Sequence, residues 1–259
     1  MSTRLVEDPD ELAELFGRDK HLHLYALADL EEPYWSASQW WRNGDAALGL
    51  VGLPDGQTIV YAVSSADPVG TLALAREIAD QLPPTLITGV TGIASVFGEA
   101  GRGIVWQRSY HRFHLTDRSL VPAVDQLVQP LDRSDLDAAL ALYQVDPGAA
   151  FFEPTMLGLG TFVGVRADDD LIAIAGTHVL SEKHGVAGIG AVFTHPDHRG
   201  QGLGAAVTAG VIHRIGDRVD TIGLNCTESN TAARRIYLRM GFAQCLAYDE
   251  CETSGSSGS

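Results

Sequence analysis

The sequence predicts an α/β protein with mixed sheets (α+β in character), arranged as two successive units. Segments with a helical apolar period alternate with strand-like segments, and the cycle runs twice. In the second half, a glycine-rich turn joins the apolar run Val186–Phe193 to a helix-patterned run beyond Gly204. A polar stretch over 116–126, with Pro122 inside it, separates the halves. These features predict a first domain over 1–115, a linker over 116–126, a second domain over 127–250 and a disordered polar tail over 251–259.

The elements follow in order. Asp10 to Leu30 carries Leu12, Leu15 and Phe16, then Leu22, Tyr25, Ala26 and Leu30, at helical spacing with a break near Gly17. Pro33 ends it. Trp40 to Leu53 and Thr58 to Val63 are expected as two strands around the turn signal Pro54-Asp55-Gly56. Val69 to Leu82 is helical and stops at Pro83-Pro84; short strands follow at Leu86–Val90 and Ile104–Leu115. In the second half, Asp135–Leu142 is a helix and the glycines and prolines of 146–157 make a loop. Thr161–Arg166 and Leu171–Leu180 are strands around Asp168-Asp-Asp170, and Val186–Thr194 is the next strand. Helices at Gly202–Ile215 and Asn230–Met240 flank a strand at Thr221–Cys226, and a last strand lies near Phe242–Tyr248.

Composition narrows the function classes. With 45% hydrophobic and 20% charged residues, 259 residues can bury a full core. A net charge of −15 disfavours nucleic acid and anionic membranes as partners and favours a cationic acceptor such as an amine. Three cysteines, Cys226, Cys245 and Cys251, show no paired metal spacing. An odd count without a leader pattern predicts a reducing, cytoplasmic setting. The histidine pairs His21/His23 and His111/His114 lack acidic or cysteine partners in pattern, so no metal site is expected.

The most informative segment is His195-Pro-Asp-His-Arg199-Gly200-Gln201-Gly202-Leu203-Gly204. A glycine-rich turn between a strand and a helix aims backbone N–H groups at one point, and the helix start adds the positive end of its dipole. That combination receives a phosphate-bearing ligand. The spacing is neither the dinucleotide pattern nor the triphosphate loop, which needs a Lys-Ser/Thr pair. It resembles the pyrophosphate loop of the GNAT superfamily, the acyl-CoA-dependent N-acyltransferases. A second segment agrees: Asn230, Ala233 and Tyr237, then Gly241-Phe242, resemble the GNAT pattern after the fifth strand. The resemblance covers the last half of the chain. The first half has a similar element order without the loop, as in a degenerate GNAT-like copy of a tandem or glycine N-acyltransferase-like protein.

The resemblance implies a donor and a set of roles. The donor is acetyl-CoA, a co-substrate, with no metal required. Its pyrophosphate would meet the backbone of Arg199, Gly200, Gln201, Gly202, Leu203 and Gly204. Its pantetheine arm would lie along Val192, Phe193 and Thr194, with Asn230 and Ala233 on the other side. One N–H of the Val192–Thr194 segment would polarise the thioester carbonyl. Tyr237 would protonate the leaving thiolate; a free thiol ionises near roughly 8.5 and a free tyrosine near roughly 10, so the transfer is feasible. Asn230 is equally a helix N-cap. The general base is open. The fourth strand, Val186–Thr194, lacks the acid that many relatives carry there, leaving His178 and Glu153, with Glu228 as a simpler helix-terminus acid. The implied reaction is acetyl transfer to a small-molecule or peptide amine by direct attack in a ternary complex. The alternatives are a longer-chain or aryl acyltransferase and a non-catalytic acyl-CoA sensor. Either a monomer or a homodimer is compatible with the sequence.

Overall fold

A computed structural model describes residues 2–53, 56–63 and 67–256. Pro54 and Asp55 of the expected turn, and 257–259 of the expected tail, lie outside the described residues. The chain groups into two units. The first holds Met1–Arg112, Cys226–Ser229 and Gln244–Ser259; the second holds Phe113–Asn225 and Asn230–Ala243.

The first run of the chain is β1 (Arg4–Val6), α1 (Pro9–Gly17), α2 (Lys20–Asp29), β2 (Ser38–Asn43), β3 (Ala46–Gly52), β4 (Thr58–Ala62), α3 (Pro68–Ile78), β5 (Leu86–Val90), α4 (Ile93–Glu99) and β6 (Arg102–Leu115). Strands β1 to β4 pair antiparallel in sequence order, and β4 pairs parallel with β5. The parallel pair is joined by α3, the crossover that such a pair requires. One expected strand, Trp40–Leu53, is in fact the hairpin β2–β3. Gly44, at φ +63°, turns the chain between Asn43 and Ala46, which face each other across the ladder. Gly44-Asp45 at the two loop positions is a hairpin signal, and the polar run Arg42–Asp45 divides the apolar pattern into two strands. The core of this unit sets Leu48, Val60 and Ile87 of the sheet against Leu74 and Ile78 of α3.

The second run is β7 (Gln129–Pro130), α5 (Leu136–Tyr143), β8 (Val163–Ala167), β9 (Asp170–Ser181), β10 (Val186–Thr194), α6 (Leu203–Ile215), β11 (Thr221–Thr227), α7 (Thr231–Arg239) and β12 (Phe242–Ser256). Strands β7 to β10 pair antiparallel in order, and β10 pairs parallel with β11 across α6. Thus both runs have one plan: strand, helical segment, three strands, helix, strand, helix, strand. The core here sets Ile174, Ala191 and Phe193 against Ala139 and Leu142 of α5 and Phe162.

Two expectations about boundaries are corrected. The stretch 116–126 is tied to the second unit: Arg118 donates to the carbonyls of Gly216 (2.7 Å) and Val219 (2.8 Å), and His213 Nε2 lies 2.8 Å from the Pro122 carbonyl. The end of the chain is not a tail from 251 onward. Strand β12 runs to Ser256, and its residues Tyr248–Glu252 pair antiparallel with Val90–Leu86 of β5. Cys251 and Thr253 are buried while Glu252 and Ser254 are exposed. That alternation, not the polar composition, decides the structure.

Candidate functional site

The site grows from an irregularity in β10. Its parallel pairing with β11 stops at Ile189↔Leu224. On its other side the register with β9 jumps between Gly190 and Phe193, leaving Ala191 and Val192 without a partner position in either ladder. Ala191 sits at φ +54°, in the left-handed region that non-glycine residues rarely adopt. The bulge re-aims the strand, and Val192, Phe193 and Thr194 beyond it line a cavity of about 770 Å³.

The next wall is the loop and the start of α6. Gly200 and Gly202 stand at φ +80° and +83°, where a side chain is strained. The N-terminus of α6 has no side-chain cap, so the dipole's positive end is not offset by the protein's own oxygen. The α3 helix of the first unit differs. Its Asp67 carboxylate accepts from Gly70 N–H at 2.7 Å and caps that helix with a negative charge. A phosphate is therefore disfavoured at α3 and favoured at α6. Arg199 lines the cavity and is braced there: Nε donates to the Thr194 carbonyl at 3.2 Å, and Nη2 reaches Asp146 at 3.4 Å.

The third wall is α7. Asn230 accepts from Ala233 N–H at 3.1 Å, so its side chain caps the helix while the residue lines the cavity. Tyr237 also lines it, 7% exposed, with its ring packed near Phe113 and Phe242 at 6.3 and 6.0 Å between centroids. Three arginines, Arg199, Arg235 and Arg239, and His198 face the same cavity in a chain of net charge −15. Arg235, Arg239 and His198 were not expected there. A signal for the first two existed: α7 holds three arginines in nine residues, although Lys and Arg number only 18 in the whole chain.

Residues 129–242, which hold all of these walls, match the acetyltransferase (GNAT) family. This part of the chain is a GNAT domain. A mycothiol acetyltransferase of Tsukamurella paurometabola is 32% identical over 101 residues, 38% of this chain and 35% of that protein. The chain thus spans about a third of the length of the curated relatives it matches. A GNAT-family structure from Novosphingobium aromaticivorans superposes with TM-score 0.62 at 22% identity, over 80% of this chain and 89% of that one. A tandem GNAT protein from the clavulanic acid biosynthesis pathway covers 100% of both chains, with TM-score 0.54 at 18% identity. These structural likenesses show the fold, and the last of them shows it for both runs of the chain.

Within the GNAT domain, Val192, Phe193, Thr194, Arg199, Gly200, Gly202, Leu203, Gly204, Asn230, Ala233 and Tyr237 line one cavity. Gln201, Glu153 and His178 do not. Gln201 is exposed. Glu153 starts a short 3-10 turn, its carbonyl accepting from Met156 N–H at 2.9 Å. His178, on β9, faces the bulge instead. Its Nε2 lies 2.9 Å from the Ala191 nitrogen and 3.0 Å from the Phe151 carbonyl. Burial pushes its imidazole down to about 4, so the ring is neutral at pH 7. Nε2 of a neutral ring has one role: accepting from Ala191 N–H uses its lone pair and places the ring proton on Nδ1, so the Phe151 carbonyl at 3.0 Å is then a neighbour of Nε2 and not its hydrogen-bond acceptor. Glu228, in the first unit, donates its backbone N–H to the Ser109 carbonyl at 3.0 Å. No group of metal-ligating side chains occurs among the described residues. No described helix is long and apolar enough to cross a membrane.

Gly190 makes room for His178: a Cβ there would collide with the imidazole. Gly190→Ala is therefore expected to destabilise the protein by about 1–3 kcal/mol, the usual cost of overpacking. Denaturant unfolding checks it; an unchanged midpoint would mean that the ring moves aside freely.

Proposed function

We propose that this protein transfers an acetyl group from acetyl-CoA to an amine. The observation that carries the reading is the convergence, in one cavity, of a bulged strand, a phosphate-receiving helix start and Tyr237. The α6 N-terminus and Arg199, with Arg235 and Arg239 nearby, supply positive potential for the diphosphate and the 3′-phosphate of CoA. The backbone of Val192–Thr194 lies where an extended pantetheine arm adds a strand-like edge. The amine nitrogen bonds to the thioester carbon, the C–S bond breaks, and the sulfur leaves with the electron pair. Tyr237 gives its phenolic proton to that sulfur and is reprotonated by water. The amine's excess proton passes to water; the lining residues include His198 but no carboxylate.

The transfer takes place in one ternary complex, without an acyl-enzyme. Cys226, buried on β11, is packing. The curated relatives are named for mycothiol, so a screen of acceptor amines starts with the form of that thiol lacking its acetyl group.

The test is isothermal titration with acetyl-CoA, with benzoyl-CoA in parallel. Micromolar binding of acetyl-CoA supports the reading. Absence of binding overturns it, and preference for benzoyl-CoA would reassign the acyl group.

A further inference from the structure

The bulge in β10 is held by side chains that lie outside the cavity. Ala191 carries the strained positive φ, and both polar groups of this residue are engaged. Its N–H donates to His178 Nε2 at 2.9 Å, and its C=O accepts from the Tyr143 hydroxyl at 2.6 Å. The two partners come from different elements, β9 and α5. Each is wedged in turn. The His178 ring occupies the space that Gly190 leaves open and meets Phe151 edge-on at 5.6 Å. The Tyr143 ring stacks on Phe152 at 4.8 Å and tilts against Phe193 at 5.8 Å. A non-glycine residue at positive φ costs about 1–2 kcal/mol and persists only when its surroundings over-determine it. Two hydrogen bonds to a single residue, one to its N–H and one to its C=O, provide that determination.

We propose that His178 and Tyr143 are positioning residues that clamp Ala191 by its N–H and its C=O and so hold the Val192–Thr194 backbone against the substrate thioester. The inference rests on the acyl-thioester reading above and gives His178 a role other than general base. Neither side chain touches the substrate. Both act through the backbone of Ala191, one peptide before the residues that line the cavity. Removing either hydrogen bond relaxes the bulge toward ordinary strand geometry, and the donor groups beyond it lose their aim. A shift of a few tenths of an ångström in such donors is felt at the carbonyl, because preorganised donors stabilise only the charge that they face.

The variants are Tyr143→Phe, His178→Leu and His178→Gln, studied in the full chain. Glutamine can present an acceptor oxygen close to the place of Nε2, so it keeps the bond to Ala191 but cannot serve as an imidazole base. The first readout needs no ligand: hydrogen exchange at the Ala191 amide, with melting temperature as a control for folding. The clamp predicts exchange at least about tenfold faster in His178→Leu and near wild type in His178→Gln. The second readout is the infrared carbonyl band of bound acetyl-CoA labelled with 13C at the acetyl carbonyl. In wild type the band lies below that of free acetyl-CoA. In Tyr143→Phe and His178→Leu it returns toward the free position, with the dissociation constant changed less than about threefold. In His178→Gln it stays low.

Unaltered exchange in His178→Leu overturns the clamp whatever binds. Faster exchange with an unmoved carbonyl band overturns the link to the thioester. If wild type binds no acetyl-CoA, the acyl-thioester reading falls and takes that link with it, while the exchange data still decide whether the clamp exists. Turnover lost equally in His178→Gln and His178→Leu, with the band low in both, would return His178 to the role of base.

Discussion

Gly202→Trp is expected to weaken acetyl-CoA binding at least about a hundredfold, a loss of about 2.7 kcal/mol. Gly202 stands at φ +83°, and the space where its Cβ would lie is open to 4 Å. The substitution therefore meets no protein atom at its base. Its cost to the fold is the backbone strain of a side chain at positive φ, about 1–2 kcal/mol. The indole enters space beside the uncapped start of α6, where the phosphates need direct access to backbone N–H groups. Gly202→Ala separates the two effects: it carries the same strain with almost none of the bulk. Titration calorimetry and thermal melts on both variants check the prediction. Equal affinity in wild type and Gly202→Trp would mean that the ligand does not use this loop.

Tyr237→Phe is expected to lower kcat by about 10²- to 10⁴-fold, the range for loss of a general acid, with the KM for acetyl-CoA changed only a few-fold. The ring is 7% exposed and packed beside Phe113 and Phe242, and phenylalanine preserves that packing. What is lost is the proton donor. The thiolate then departs unprotonated or waits for water, so the deficit is largest for the acyl donor with the poorest leaving group. Steady-state kinetics with the best amine from the screen measures it. A variant with wild-type kcat would place the proton donor elsewhere. A wild type that binds acetyl-CoA but acylates no amine would favour a sensor over an enzyme.

Much of the second unit is legible residue by residue. The strand Val186–Thr194 is found over the expected residues, because its apolar run is bounded by turn signals at both ends. The loop glycines and the helix after them follow from a strand–turn–helix pattern that depends only on near neighbours. Asn230 caps α7 for the same reason. In the first unit the hairpin at Gly44 is legible as well, although the expected strand Trp40–Leu53 runs through it: the polar run Arg42-Asn43-Gly44-Asp45 interrupts the apolar pattern, and Gly44-Asp45 is itself a hairpin-turn signal.

Other features depend on residues far apart in sequence. Arg112 sits in an alternating strand pattern that says nothing of its surroundings, yet it is fully buried. It donates to the Leu22 carbonyl and the Tyr61 hydroxyl, and its guanidinium lies over the rings of Tyr25 and Tyr248. These partners lie 51 to 90 residues from it for the hydrogen bonds, and no periodicity connects them. The destination of β12 is of the same kind. Its pairing with β5 joins residues near 250 to residues near 88.

The sequence by itself determined the class of fold, most of the elements in both runs, short of the strands β1 and β7 and the β2–β3 hairpin, and the glycine loop before α6. Periodicity, capping and glycine placement are local, and the loop's backbone needs only its own residues to take its shape. The tertiary structure alone decided that His178 faces Ala191 rather than the cavity, that Arg235 and Arg239 join Arg199 around it, and that the last strand completes the first unit's sheet. Each of these is a choice of neighbour, set by packing and burial between distant segments.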